Sequence, residues 1–393
     1  MDFAALLQLK VQEFISQNLN QDVSLLSFQK NPFPEINWLV IINQIIAKKK
    51  SQIKLPTWFN VDNVVFPDSI SVEQTSSEIA AKHKSNLISG QVLVDLTGGF
   101  GVDSFYFSKK FTKVIHCEIN SQLSQIVKHN FKLLKANNIE CELGDGFEIL
   151  QNLPYKIDWI YVDPSRRSDL KGKVFMLQDC LPNVPTLLPD YFVYTNKILV
   201  KTAPILDITA GLLELKNVKN IHIIAINNEV KELLWEIWKD YDNSITIKTC
   251  NYIKDAIQTF NFDNDANVEE CDYSLPKKYL YEPNAAILKS GAFNAVAIQF
   301  NVAKLHQHSH LYTSDELIEF PGRVFIINHY FEFSNNTMKK QLQNSKSNIT
   351  IRNFPLTVEN IRKKWKILDG GNQYSFFTTD LNNNKIVLIC EKI

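Results

Sequence analysis

What this 393-residue chain lacks narrows it first. It has no low-complexity tract, and no uninterrupted apolar run nears the roughly 18 to 20 residues that cross a bilayer, so no membrane-spanning helix is expected. No basic segment leads into an apolar one after Met1, Asp2 and Phe3, which removes the signature of a secretory signal. The six cysteines (Cys117, Cys141, Cys180, Cys250, Cys271 and Cys390) stand singly, with no C-x-x-C pair. A chain this large needs no disulfide staples, and reduced thiols in the cytoplasm are the expectation. Net charge is missing as well: 42 Lys plus Arg offset 42 Asp plus Glu, so the whole chain has no bulk attraction for polyanions. The balance is uneven, however, with 15 Lys/Arg against 9 Asp/Glu from Leu275 onward, which leaves room for a basic C-terminal module.

What is present suits a large globular protein. Hydrophobic residues make up 45% of the chain, including 25 Phe, and the length exceeds what one core usually organises. Apolar residues at helical spacing in 3–19 and 36–46 predict an N-terminal helical accessory domain over 1–75. From Gln91 the pattern changes. Short apolar runs at 92–96, 113–117, 140–143 and 159–162 alternate with amphipathic stretches such as 121–135, the signature of βαβ units. The expectation is an α/β domain over 76–272 with a Rossmann-like, seven-stranded sheet, including a helix over 229–239. A smaller α+β domain is expected over 273–393.

The turn after the first strand concentrates unusual residues. Asp95 closes an apolar run, and Leu96-Thr97-Gly98-Gly99-Phe100-Gly101-Val102-Asp103 follows as a glycine turn into a helix. Glycine lets backbone approach a ligand closely at the carboxyl edge of a sheet; a structural tight turn is the plain alternative. Three later residues fall where a doubly wound sheet would bring them to the same edge. Glu118 ends the second strand, suited to accept ribose hydroxyls. Asp145, beside Gly146, follows the third, where a carboxylate can face an adenine amino group. Asp163-Pro164-Ser165-Arg166-Arg167 follows the fourth, at the mouth where a second substrate would enter. A dinucleotide-binding turn more often carries G-x-G-x-x-G, and Ser104 stands where its third glycine would be.

In order and spacing these residues resemble the class I S-adenosylmethionine-dependent methyltransferases over about 75–265, and the D-x-T-G-G-x-G-x-D run is locally similar to a bacterial small-subunit rRNA guanine-N2 methyltransferase family. The resemblance implies S-adenosylmethionine as cofactor. Asp95, Thr97, Gly98, Gly99, Gly101 and Asp103 would then hold its methionine part, Glu118 its ribose, and Asp145 with Gly146 its adenine.

Methyl transfer is an in-line displacement at a sulfonium carbon, so such an enzyme must chiefly align a nucleophile and, where needed, take its proton. Asp163 and the Pro164 carbonyl could accept hydrogen bonds from an amino group; alternatively, Asp163 only orders its loop. Ser165, Arg166 and Arg167 are candidate substrate contacts, because guanidinium forks hold phosphate or carboxylate bidentately; surface salt bridges are the plainer reading. No aromatic follows Pro164 to stack on a flipped base, which weighs against an exocyclic amine as acceptor. No cysteine falls in Val200-Lys201-Thr202-Ala203-Pro204, so C5 pyrimidine chemistry is not expected either. Upstream, Gln74 and Ser76 either fold over the pocket or belong to a helix cap, with Ser76 or Ser77 as the capping residue.

Further along come Glu282-Pro283-Asn284, Phe320-Pro321-Gly322-Arg323 and Arg352-Asn353-Phe354-Pro355. With Asp163 to Arg167 they look like a bacterial family of methyltransferases, mostly from Bacteroidetes, that carries a THUMP-like C-terminal domain; the resemblance covers nearly the whole chain. It implies RNA as substrate. Arg362-Lys363-Lys364-Trp365-Lys366 interleaves cations with an aromatic able to stack on a base, unless Trp365 packs inward. His306, His308 and His310 would share one face of a strand, but no cysteine or carboxylate completes a zinc set, and no metal is expected. The reading is a cytoplasmic S-adenosylmethionine-dependent methyltransferase acting on a nucleotide base in structured RNA (rRNA or tRNA), without membrane or obligate protein partner. Transfer to a protein or small molecule, or a non-catalytic RNA-binding protein that kept the cofactor pocket, stay open.

Overall fold

The computed structural model describes residues 3–166, 176–254, 256–264 and 270–393, without the side chains of Ile70 and Arg166. The chain forms two compact units, Met1–Val218 with Trp235–Tyr241, and Lys219–Leu234 with Asp242–Ile393. No described helix is long and apolar enough to cross a membrane.

The first unit opens with helices, the longest of them Trp38–Lys54, capped by the Asn37 side chain on the Leu39 amide. Its Ile41, Ile42 and Ile45 are buried with Val11, Ile15 and Trp58, and the same core takes in Phe100, Phe105, Val127 and Phe131. The N-terminal helices thus share a core with the helices Val102–Phe107 and Ser121–Leu133 of the following segment. Ser77 caps the helix Glu78–Leu87 through the Ala80 amide.

The strands that follow are β1 (Gly90–Asp95), β2 (Phe111–Glu118), β3 (Ile139–Leu143) and β4 (Trp159–Val162). A short ribbon comes next, β5 (Ser165–Arg166) antiparallel to β6 (Cys180–Leu181), and then β7 (Lys197–Thr202). Their sheet runs β7-β4-β1-β2-β3, all parallel. β4 is buried on both faces, as a covered parallel strand must be. Strand addition reverses between β1 and β4, which leaves a crevice beyond their carboxyl ends.

The expected seven-stranded pattern is exceeded, because the segment taken for a helix over 229–239 is a strand. After β8 (Val218–Ile226), Asn227 and Asn228 both take positive φ, 51° and 63°, the geometry of a tight hairpin turn. The chain therefore returns as β9 (Glu229–Trp238) instead of coiling. Leu233 to Ile237 are buried without interruption, and such a run has neither helical nor strand periodicity to read. The end of β9 belongs to the first unit, beside β7. In the second unit, β10 (Thr246–Ile253) is parallel to β8 and antiparallel to β11 (Ala256–Asp263).

The remainder of the second unit is α+β, as expected. Strands β12 (Tyr279–Pro283), β13 (Ala303–Lys304), β14 (Tyr312–Ser314), β15 (Gly322–Glu332), β16 (Asn348–Ile351), β17 (Gln373–Thr379) and β18 (Lys385–Lys392) form a sheet in the order β13-β14-β12-β15-β18-β17-β16. Trp365 is 2% exposed and packs with Met338, Ile361 and Phe377, so it is core and not a stacking platform. His306, His308 and His310 do not share a strand face. They occupy the turn between β13 and β14, where His310 has φ 52° and stacks on Phe293 at 3.5 Å, while His306 is bonded to Asn353 and Asn383.

Trp235 shows how closely the first unit is packed. It is fully buried, donates to the Thr202 hydroxyl at 3.0 Å, and occupies space that a Cβ at Gly211 would enter, 2.4 Å from the ring. Trp235→Ala is expected to cost about 3–5 kcal/mol, the range for emptying an aromatic site. Urea denaturation measures this, and a loss below about 1 kcal/mol would mean that the strand is not held as described.

Candidate active site

Asp95, at the end of β1, is 1% exposed and faces no open space. Its Oδ2 accepts the Ser104 hydroxyl at 2.5 Å and its Oδ1 the Thr97 amide at 3.1 Å. Burial pushes this carboxyl up to about 7 against those hydrogen bonds, and the Asp103 and Asp163 carboxylates add to the rise. Under the turn lies the buried ring of His116, from β2, with Nδ1 3.2 Å from the Ser104 hydroxyl. Burial draws His116 down to about 4. A Cβ at Gly98 would stand 2.0 Å from that ring, so the backbone passes only because the side chain is absent. Gly101, at φ 79°, starts the helix Val102–Phe107, and a Cβ there would meet Phe131 at 2.5 Å.

This path fixes what the loop can reach. The Gly98 amide donates to the Cys117 carbonyl at 2.8 Å, and the Gly99 amide to Glu118 Oε2 at 3.0 Å. Glu118 Oε1 accepts the Asn120 amide at 2.7 Å. After β3, Asp145 caps the helix Gly146–Gln151, with Oδ1 on the Phe147 and Glu148 amides. Gly146 presses on the β1 loop so closely that a Cβ would lie 2.3 Å from the Leu96 carbonyl oxygen. After β4, the Asp163 amide donates to Thr97 Oγ1 at 2.7 Å, and Asp163 Oδ2 takes the Lys201 ammonium at 2.5 Å.

A cavity of about 770 Å³ opens among these strand ends. Of the residues expected at a site, it is lined by Thr97, Gly99, Glu118, Asp145, Gly146, Asp163 and Ser165. Asp95, Gly98, Gly101 and Pro164 lie behind or beside that lining.

Asp103 and Ser76 have a different place. Lys84, with no exposed surface, pairs with Asp103 Oδ1 at 3.0 Å, while Tyr161 and Ser76 donate to Oδ2 at 2.7 and 2.9 Å. Burial alone would raise this carboxyl, but the charges of Lys84 and Lys201 hold it below the usual carboxylate range. The pair ties the helix Glu78–Leu87 to the helix Val102–Phe107. Gln74 is exposed at the end of its own helix and does not line the cavity. Arg167 lies outside the described residues, as does the side chain of Arg166.

Sequence reasoning missed one wall of the cavity: Leu181, Pro182, Asn183, Thr186, Leu187 and Tyr191, on β6 and on the helix Val184–Tyr194 capped by Asn183. Nothing local marks that helix, whose apolar side chains read as core. Lys201 was missed as well, although a lone cation ending an apolar run at the same sheet edge could have marked it.

Comparison with known proteins bears on this geometry. A crystal structure assigned as a methyltransferase from Porphyromonas gingivalis W83 matches with a TM-score of 0.87 and 30% identity, covering 98% of each chain. TrmK of M. capricolum, in complex with S-adenosyl-homocysteine, matches with a TM-score of 0.32 and 16% identity over 42% of this chain and 69% of its own. An rRNA methylase from Streptococcus thermophilus gives 0.30 and 12% over 42% and 99%. Residues 279–321 match a family model described as a ferredoxin-like domain, and 322–392 one described as THUMP domain-like. No curated protein matches the chain.

The opposed shifts of Asp95 and His116 have a measurable consequence. Asp95 ionises near 3.8 when unfolded and near 7 when folded, so between those values the folded state holds the extra proton and stability falls as pH rises, levelling above 7. His116 acts in reverse between about 4 and 6.5, where the unfolded state binds the extra proton. Asp95→Asn removes only the first contribution. Denaturation curves from pH 4 to 8 should show the wild type losing stability relative to this variant up to pH 7 and running parallel to it above. Parallel curves throughout would mean that Asp95 is ionised across the whole range.

Proposed function

We propose, on the premise that this chain belongs to the bacterial methyltransferase family with a THUMP-like C-terminal domain, that it takes its methyl group from S-adenosylmethionine and places it on a nucleotide base of structured RNA, rRNA or tRNA, in the cytoplasm. The observation that carries this reading is the single cavity in which Thr97, Gly99, Glu118, Asp145 and Asp163 meet.

The residues fit the cofactor. The volume of about 770 Å³ lies within the range of small-molecule sites, and glycine at 99 leaves the rim open, since a Cβ there would meet only the Thr97 carbonyl oxygen, at 3.8 Å. Glu118 is already oriented by the Gly99 and Asn120 amides, and its carboxylate has lone pairs left for two ribose hydroxyls. Asp145 Oδ1 is committed to its helix, leaving Oδ2 for an adenine amino group. Asp95, Gly98 and Gly101 set the course of the loop from behind, and Asp103 anchors its helix.

Bound S-adenosylmethionine supplies an electrophilic methyl carbon on a sulfonium. The chain's own task is alignment. Lys201 occupies Asp163 Oδ2, so Oδ1 is the oxygen that would accept a proton or hydrogen bond from the acceptor, with the Pro164 carbonyl as the proposed second hydrogen-bond acceptor. Ser165, Arg166 and Arg167 are the proposed contacts to the incoming nucleotide. The apolar wall formed by Leu181, Pro182 and Leu187 suits the flat face of a base. The division into 1–75, 76–272 and 273–393 accompanies this proposal, with the outer segments presenting RNA to the middle one.

Calorimetric titration with S-adenosylmethionine and, separately, NAD tests the premise of cofactor choice. Binding of the first alone is expected. Glu118→Ala should weaken it by about tenfold or more, the loss of one or two hydrogen bonds to a charged group. Asp163→Ala should bind the cofactor within about twofold of the wild type, yet lose methyl incorporation into unmodified rRNA or tRNA by at least about a hundredfold. Preference for NAD would overturn the reading, and equal loss of binding and transfer in Asp163→Ala would make that residue structural.

A further inference from the structure

Three segments that carry the family resemblance meet at one buried carboxylate in the second unit, and methyl transfer gives them no task. Glu282, on β12, is 4% exposed and lies directly opposite Arg323 of β15. Its Oε2 accepts Arg323 Nε at 2.6 Å, and its Oε1 accepts Nη2 of Arg352, just beyond β16, at 2.8 Å. Arg323 Nη2 also donates to the Thr350 hydroxyl at 3.3 Å. The Arg323 guanidinium lies over Phe325 and Phe376, 5.5 and 6.0 Å from their centroids, where the sheet's apolar core ends.

The carboxylate is closed off, while the side chains of Arg323 and Arg352 remain 37% and 34% exposed. One glutamate needs one arginine for neutrality, so the second leaves a net charge of +1 turned toward solvent. Among the described residues neither Nη1 has a partner. Arg352 Nε is buried without one, so its guanidinium is held in place with part of its hydrogen bonding unmet. An ion pair kept only to join β12 to β15 would need neither the extra charge nor the unmet donor. With Arg323 Nε and Nη2 and one Nη2 bond of Arg352 committed to Glu282, the two forks still offer Nη1 of each arginine to a second anion, and phosphate is the common one.

We propose that Arg323 and Arg352, clamped by Glu282, form a binding site for a phosphate group of the RNA backbone. The inference deepens the RNA reading above and rests on it. A single positive charge matches the single negative charge of one phosphodiester, and the fixed spacing of the forks orients that phosphate instead of merely attracting it.

The test uses the full chain and a fluorescently labelled RNA stem-loop, titrated at several salt concentrations, with inorganic phosphate as competitor. Arg352→Gln removes the charge but keeps an amide donor for Glu282, while Arg352→Lys keeps the charge and loses the fork. The glutamine variant should bind the stem-loop about tenfold more weakly and lower the slope of log affinity against log salt by about one. The lysine variant should lose affinity with the slope unchanged, and both should melt near the wild type. Wild-type affinity and slope in the glutamine variant would overturn the proposal, and so would a collapse of melting temperature in both variants. Displacement of RNA by low-millimolar inorganic phosphate would assign the site to a free anion instead. Cofactor binding is scored separately by calorimetry, so S-adenosylmethionine can bind while this inference fails, and the reverse.

Discussion

The candidate site depends on a missing side chain. At Gly98 the backbone leaving β1 crosses the buried ring of His116 with no room for a Cβ, and everything downstream follows from that closeness. Because the chain passes so near β2, the Gly98 amide can reach the Cys117 carbonyl and the Gly99 amide the Glu118 carboxylate. Because it then turns at Gly101, Thr97 is left at the crevice between β1 and β4, where its hydroxyl receives the Asp163 amide. The ends of three strands are thus tied by short polar contacts to one loop. Any side chain at residue 98 would displace the loop, and with it the relative positions of the Glu118 and Asp163 carboxylates.

A second constraint lies deeper. Lys84 and Asp103 form an ion pair with almost no solvent, where desolvation opposes pairing and the balance favours the pair only if the remaining hydrogen bonds are made. Ser76 and Tyr161 supply two, both to Asp103 Oδ2, and Oδ1 faces the Lys84 ammonium. Removing either charge would strand the other at a cost of about 3–5 kcal/mol, so the segment before β1 is locked to the helix after it. Asp95, eight residues earlier, has no ion-pair partner among the described residues, and burial drives it toward its neutral form. Two aspartates eight residues apart are therefore shifted in opposite directions, one paired with a lysine across the fold and the other buried beside further carboxylates.

That contrast marks the limit of what the sequence discloses. The order of strands β1 to β4, the glycine turn, and the positions of Glu118, Asp145 and Asp163 were legible because each follows from local spacing and from the rule that parallel strands end at one edge. Asp103 was read as a ligand contact because its partner, Lys84, sits on a separate helix, and no local pattern announces a pairing of that kind. The strand β9 was read as a helix because burial on both faces erases periodicity, and the deciding signal was two asparagines able to take positive φ. The wall from Leu181 to Tyr191 escaped notice because a helix lining a cavity and a helix lining a core have the same composition.

The charge distribution reconciles a chain of zero net charge with the proposed RNA substrate. At an ionic strength near 0.1 M, charges more than about 10 Å apart are largely screened, so a phosphate senses its immediate surroundings and not the sum over 393 residues. From Leu275 onward, cations exceed acids by 15 to 9, and one of those acids, Glu282, is withdrawn from solvent to position two of the cations. A neutral chain with such a region could hold a polyanion at chosen points, without the diffuse attraction of a basic protein for every nucleic acid. Under the proposed reading, local charge sets where the RNA sits, and global neutrality limits how long it stays elsewhere.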